Sequence, residues 1–109
     1  MNSHSETRAL LLRMEAARRE TRRHLDLVQR QIEGRAERMT ITEKAKAQNR
    51  THKRFGPRWT RSDEALYRSH VERLFFERHS EIDALSRKLA RQDLAIAALR
   101  ERPTARRSS

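Results

Sequence analysis

The stretch that decides the fold is Lys44-Ala-Lys-Ala-Gln-Asn-Arg-Thr-His-Lys-Arg-Phe-Gly-Pro-Arg-Trp-Thr-Arg61. Pro57 lacks a backbone donor and keeps Gly56 out of helical angles, which predicts a break at residues 53–59. Elsewhere the chain has the composition of long, solvated helices, since it is 38% charged and holds only two Gly and two Pro in 109 residues. The sequence therefore predicts an all-α protein with helical segments on both sides of a basic break.

Most of the excess positive charge lies in the same stretch. The formal net charge is +11, and residues 40–61 contain seven Lys or Arg against one Glu. Residues 1–39 contain nine Arg against six acidic residues, and residues 62–102 are balanced at eight of each sign. A basic segment of this kind favours a polyanionic partner, and nucleic acid is the simplest.

Residues 1–39 have the pattern of a helix that pairs with another helix. Ser3 and Glu6 match a capping box at its start, and charged pairs at i,i+4 line its flanks. A seven-residue spacing follows and predicts a coiled-coil-like seam, with a helix over about residues 4–33. Its two rows are Leu11, Arg18, Leu25, Ile32 and Met39, and Met14, Thr21, Val28 and Arg35.

The end of this pairing arm is open to two interpretations. Gly34 weakens a helix, and Thr40 with Glu43 matches a second capping box. These signals favour a separate short helix over about residues 41–52, inside a basic connector of residues 40–61. The alternative is one continuous helix, because Met39 stays in phase with the seam before it.

The C-terminal segment, residues 62–102, also allows two interpretations. Both start after Thr60, which with Asp63 has the pattern of a helix cap. In the first, one long helix carries a pairing seam of Ile82, Leu85, Leu89, Gln92, Ile96 and Leu99. In the second, three helices over about 62–77, 80–90 and 92–102 form a helix-turn-helix domain with turns near Arg78 and Arg91. The polar tail, residues 103–109, is expected to be disordered.

A family resemblance accompanies the second interpretation. Arg58-Trp-Thr-Arg-Ser-Asp-Glu-Ala-Leu66 resembles the opening of Myb/SANT-type three-helix domains, and Ile82 to Arg100 is similar to the second and third helices of bacterial members. In that family the third helix enters the DNA major groove. The resemblance implies base contacts from Gln92, Asp93 and Arg100, and a core position for Trp59.

The candidate nucleic-acid-binding residues come mainly from the basic connector. Its cations would neutralise phosphates, and its aromatic rings would stack on a base or else plug the end of a helical bundle. We expect Trp59 to be a core residue and Phe55 to be the exposed contact. The adjacent rings of Phe75 and Phe76 cannot share one helix face, so at least one should meet a partner or another helix, and packing in the core is the favoured explanation. The full set is Lys44, Lys46, Arg50, Lys53, Arg54, Phe55, Arg58 and Arg61, with Gln92 and Arg100 from the resemblance.

Other classes of function have weaker support in the sequence. There is no Cys and no Gly-rich phosphate loop, and the five His are scattered, so we expect no metal site, no cofactor and no enzymatic activity. The longest apolar run, Leu94 to Leu99, is too short to span a bilayer, so a cytoplasmic protein is expected, nucleoid-associated if it binds DNA. The leading hypothesis is a DNA-binding regulator or accessory factor acting as a homodimer. The alternative is a coiled-coil adapter or assembly protein that binds a partner protein through its helical seams.

Overall fold

The computed structural model describes residues 3–51 and 58–102, and three helices account for nearly all of these described residues. They are α1 (Ser3–Thr51), α2 (Arg61–Glu77) and α3 (His79–Glu101). The described residues contain no strand, so the predicted all-α class with a long first helix is confirmed. The predicted break falls between α1 and α2, but residues 52–57 and the predicted tail at 103–109 lie outside the described residues.

Helix α1 continues through both positions at which the sequence favoured an end. It spans 49 residues and passes Gly34 and Thr40 without interruption. The separate helix over 41–52 is therefore wrong, and the continuous alternative is correct. A glycine inside a helix costs only about 1 kcal/mol relative to alanine, which the packing of the surrounding turns offsets.

The contacts divide the chain into two compact units. The first unit joins the N-terminal part of α1, up to Asp26, to α3 from Ile82 onward. The second unit is Leu27–Glu81, which contains the C-terminal part of α1, all of α2 and the start of α3. Each unit is thus an antiparallel pair of helices that bury one stripe against each other.

The core of the second unit follows a four-residue spacing along α1. Val28, Ile32, Ala36 and Thr40 are buried there, and Leu74 is buried on α2. The seven-residue seam predicted from the sequence holds as far as Ile32 and then shifts. The row therefore passes through Ala36, and Arg35, which the sequence placed on the seam, is exposed.

The first unit is built on the seam predicted for one long C-terminal helix. On α3 the buried and partly buried residues are the six predicted ones, Ile82, Leu85, Leu89, Gln92, Ile96 and Leu99. Two ion pairs, Arg18–Asp93 and Arg100–Glu15, join α3 to the N-terminal part of α1. Because the pair nearer the start of α1 is nearer the end of α3, the two helices run antiparallel.

Helix α2 begins with the predicted cap. The Thr60 side chain accepts from the Asp63 amide at 3.1 Å, and the Asp63 carboxylate accepts from the Thr60 amide at 2.9 Å. These two bonds form a complete capping box. They satisfy backbone donors that the first turn of a helix otherwise leaves without partners.

Only one of the two turns required by the helix-turn-helix interpretation is present. Helix α2 ends at Glu77, and Arg78 caps it, with the Arg78 amide donating to the Leu74 carbonyl at 3.1 Å. The Arg78 guanidinium also donates to Gln31 of α1 at 2.9 Å. Helix α3 then runs unbroken through Arg91. The separate third helix over 92–102 is therefore wrong, and residues 62–102 form two helices.

The two adjacent phenylalanines of α2 are not core residues. Phe75 is 43% exposed and Phe76 is 73% exposed. The Phe76 ring stacks on His79, with ring centroids 5.3 Å apart. The prediction that these rings pack in the core is therefore wrong.

Candidate nucleic-acid interface

A row of cations lies along the outer side of α1 in the second unit. We call it the basic face and define it as Arg35, Arg38, Lys46 and Arg50, with Thr42 and Asn49 between them. Spacings of three, four and seven residues place these side chains on one side of a helix. All six are exposed. None of the four cations forms an ion pair with another residue that the structure describes.

The carboxylates nearest the basic face already have partners inside the second unit. Glu43 Oε1 lies 3.1 Å from Nε2 of the buried His70. Asp63 Oδ2 lies 2.8 Å from Lys44 Nζ. Glu37 lies two residues after Arg35. Because two residues turn a helix by about 200°, Glu37 points to another side of α1. Asp63 is therefore paired with a cation, whereas the Glu43 carboxylate lies against a histidine, stays 46% exposed and is the one counter-charge beside the described part of the basic face.

The ammonium group of Lys44 is bonded within the protein and is not free to bind a ligand. Its side chain is 18% exposed, and Nζ donates to Asp63 Oδ2 at 2.8 Å and to the Arg58 carbonyl at 2.9 Å. These bonds join α1 to the start of α2. The sequence predicted a phosphate contact for Lys44, whereas the structure assigns it to the connection between the two helices.

The Lys44–Asp63 pair predicts a pH dependence of stability. The hydrogen bond from Lys44, followed by that from the Thr60 amide, lowers the pKa of Asp63 from its ordinary value of 3.8. A carboxyl with a lowered pKa stabilises the fold at pH above its ordinary value and loses that contribution as pH falls through the folded-state pKa. We expect the midpoint of urea unfolding to fall as pH drops from about 5 to about 2, and Asp63→Asn to remove part of that fall.

The control for this prediction is Glu77→Gln. Glu77 is exposed at the other end of α2, so its replacement should leave the acid-induced change as it is in the parent protein. An equal acid-induced change in the parent and Asp63→Asn proteins would contradict the structural role of the pair.

A groove lies beside the basic face, between α1 and the start of α2. Its volume is about 770 Å³. Lys46 and Arg50 of α1 line one wall, and Thr60, Ser62 and Leu66 line the other. Glu43 and Asp63 line the groove as well, so its cations stand beside two carboxylates, and the candidate interface is the basic face rather than the groove.

Of the remaining connector residues, the structure describes two and leaves three outside the described part of the chain. Arg58 and Arg61 are exposed just before and at the start of α2. They extend the positive charge beyond the basic face. Lys53, Arg54 and Phe55, which the sequence placed in the same site, lie outside the described residues.

Trp59 is not the core residue that the sequence predicted. It is 41% exposed, and its indole nitrogen donates to Glu64 Oε1 at 2.9 Å. Its ring meets the edge of Tyr67, with centroids 6.2 Å apart. Glu64 lies about 160° around α2 from Ser62, so Trp59 is on the side away from the groove.

The surroundings of Trp59 are acidic. The hydrogen bonds from Trp59 and Arg68 lower the pKa of Glu64. Burial, with Glu33, Glu64 and Glu37 nearby, raises the pKa of Tyr67. This negative side of the second unit does not suit contact with phosphates, so the tryptophan does not belong to the candidate interface.

The three residues taken from the Myb/SANT resemblance lie on α3 in the first unit, where Asp93 and Arg100 form ion pairs and Gln92 is partly buried. Gln92 lies in the partly buried row of α3, and its Oε1 atom is buried. Arg100 is paired with Glu15, and Asp93 is paired with Arg18. Neither Gln92 nor Arg100 is therefore presented as a free contact for base edges.

Comparison with known proteins gives no relative from which residue roles can be transferred. The chain matches no family model, no curated protein and no solved structure. The Myb/SANT resemblance therefore stays a prediction from the sequence. Across residues 3–51 and 58–102, none of the helices combines the length and the apolar character needed to cross a bilayer.

Arg35 and Arg38 are the members of the basic face that the sequence analysis missed. The sequence placed both in the pairing arm, because the predicted seam ran through Arg35. The sequence does contain a signal for them, because Arg35 and Arg38 share the helical spacing of Thr42, Lys46 and Asn49. These residues lie on one face only if α1 continues through Gly34 and Thr40. The separate helix favoured at 41–52 concealed that continuity.

Proposed function

We propose that this protein binds nucleic acid through the basic face of α1, as a DNA-binding regulator or accessory factor. The observation that carries the proposal is the asymmetry of charge pairing around this face. Its cations Arg35, Arg38, Lys46 and Arg50 are exposed without ion pairs, while the nearby Glu43 and Asp63 lie against His70 and Lys44. Four exposed cations on one side of a helix, with the half-exposed Glu43 carboxylate beside them, leave a net positive field that attracts a polyanion.

The length of the basic face also suits a nucleic-acid backbone. Fifteen residues of helix separate Arg35 from Arg50, which corresponds to about 22 Å at 1.5 Å per residue. Duplex DNA carries one phosphate charge per about 1.7 Å of its axis, so several phosphates lie within reach of a face of this length. Arg58 and Arg61 add further cations at the start of α2.

The salt dependence of binding tests this proposal. We expect the affinity for a labelled DNA duplex, followed by fluorescence anisotropy, to fall steeply as salt rises. Each neutralised phosphate contributes a slope of about −0.9 in a plot of log K against log salt, so four contacts give a slope of about −3.6. A slope near zero, or no measurable binding at low salt, would contradict the proposal.

One observation favours the alternative, a helical adapter that binds a partner protein. Helix α3 is continuous through Arg91 and carries one inward-facing row that is apolar except at Gln92, as helix-pairing segments do. In the first unit, however, that row already faces α1 of the same chain. An adapter of this kind would show no steep salt dependence with DNA, so the same titration separates the two functions.

Homodimer formation is part of the proposal. The seam that the sequence assigned to subunit pairing packs against α3 in the first unit, so a second copy would need a different surface. Leu12 and Leu94 in the first unit remain 61% and 72% exposed and are available for such contacts. The sedimentation equilibrium of the full chain gives its oligomeric state directly.

A further inference from the structure

We propose that the basic face enters the major groove of B-form DNA, with Thr42 and Asn49 as the side chains that contact base edges. This inference rests on the proposed function and names its substrate and its specificity-determining residues. It moves base recognition from α3, where the sequence resemblance placed it, to the C-terminal part of α1.

Thr42 and Asn49 are placed as base-contacting residues are placed on a helix. They are seven residues apart, which corresponds to two turns and about 10 Å along one side. Both are exposed, and neither forms a hydrogen bond with the described residues. Arg38, Lys46 and Arg50 flank them at intervals of one turn or less. Phosphate-binding cations therefore surround two free polar groups that point away from the protein.

The opposite side of α1 is held by the protein itself. Ala36 and Thr40 are fully buried, and the Thr40 hydroxyl donates to the Ala36 carbonyl at 2.8 Å. Lys44 ties the same part of α1 to the start of α2. A helix supported from behind, with one polar and basic side free, is the form in which many DNA-binding domains present a helix to the groove.

The width of the helix and the chemistry of Thr42 and Asn49 both favour duplex DNA over duplex RNA. An α-helix with its side chains is about 10–12 Å wide, and the major groove of B-form DNA is about 12 Å wide. The major groove of A-form RNA is too narrow to admit side chains for base recognition. An asparagine amide can form two hydrogen bonds to adenine, and a threonine can contact either base edges or the thymine methyl group. Thr42 and Asn49 therefore fit the groove in type as well as in position.

Selection from a pool of randomised DNA duplexes, followed by binding measurements on the full chain, tests this inference. We expect the selected duplex to bind at least about tenfold more tightly than an unselected duplex, and than an RNA duplex of the same sequence. Asn49→Ala should remove about tenfold of the affinity for the selected duplex and much less of the affinity for the unselected duplex, so that the preference for the selected sequence falls. Thr42→Val should weaken selected binding in the same way, although by less.

The matched control is Ser86→Ala, which changes an exposed polar side chain on α3 and should alter neither affinity. Thermal unfolding followed by circular dichroism shows that each variant is folded, and alanine at position 49 favours the helix. Salt-dependent binding with equal affinity for DNA and RNA duplexes and no effect of Asn49→Ala would overturn this inference while leaving the proposed function in place. No salt-dependent binding to any nucleic acid would overturn both.

Discussion

Replacing Ile32 by alanine is expected to destabilise the protein by about 2–5 kcal/mol, the range for large-to-small changes in a core. Ile32 is 2% exposed and lies in the middle of the four-residue row through which α1 packs in the second unit. The change removes three buried carbons and leaves a cavity that a helix pair cannot easily close. Urea unfolding followed by circular dichroism measures the loss as a lower midpoint at an unchanged slope.

Ile41 provides a matched control for this prediction. It is the same residue type in the same helix, but it is 53% exposed. Ile41→Ala should change the free energy of unfolding by no more than about 0.5 kcal/mol, as for most surface substitutions. Equal effects at positions 32 and 41 would mean that α1 does not pack through the row from Val28 to Thr40.

The parts of the fold that the sequence predicted correctly depend on local or strictly periodic signals. The Thr60–Asp63 capping box needs only four residues, and it forms as expected. The six-residue row from Ile82 to Leu99 keeps one period over five turns, and all six positions face inward. In both cases the signal and the structure it specifies lie within a single helix.

The errors arose where packing between helices decides the outcome. Glycine in a helix costs about 1 kcal/mol, and the burial of Ala36 and Thr40 offsets that cost, so α1 does not end near Gly34. The cost can be read from the sequence, but the burial cannot. The shift from a seven-residue to a four-residue spacing likewise follows from the surface that α2 presents. Trp59 was expected in the core because aromatic residues are often buried, but its position depends on Glu64 and Tyr67.

The sequence predicted where the positive charge of the candidate site lies, but not which of its cations are free. The sequence located the basic region around residues 40–61, and the free cations Lys46 and Arg50 lie there. It could not distinguish them from Lys44 or Arg100, because a cation is free or paired according to tertiary contacts. Arg100 finds Glu15 at a separation of 85 residues, which no local pattern reveals.

Reversing two charges on the basic face is expected to abolish most nucleic-acid binding. Arg38→Glu combined with Lys46→Glu removes two phosphate contacts and adds two like-charge repulsions near the middle of the face. We expect the affinity for a DNA duplex at about 0.1 M salt to fall by about 100-fold, and the salt slope to become shallower by about 1.8. Fluorescence anisotropy across a salt series measures both quantities.

The lower net positive charge would weaken binding by itself, so the control variant must carry the same change in charge at another place on the protein. Arg87→Glu with Lys88→Glu on α3 replaces one arginine and one lysine that are equally exposed, and the shift in net charge is identical. Because charges outside the contact surface are largely screened at this ionic strength, the proposal expects the control to lose far less affinity than the variant of the basic face. Equal losses in the two proteins would mean that the overall positive charge attracts nucleic acid and that α1 presents no specific interface.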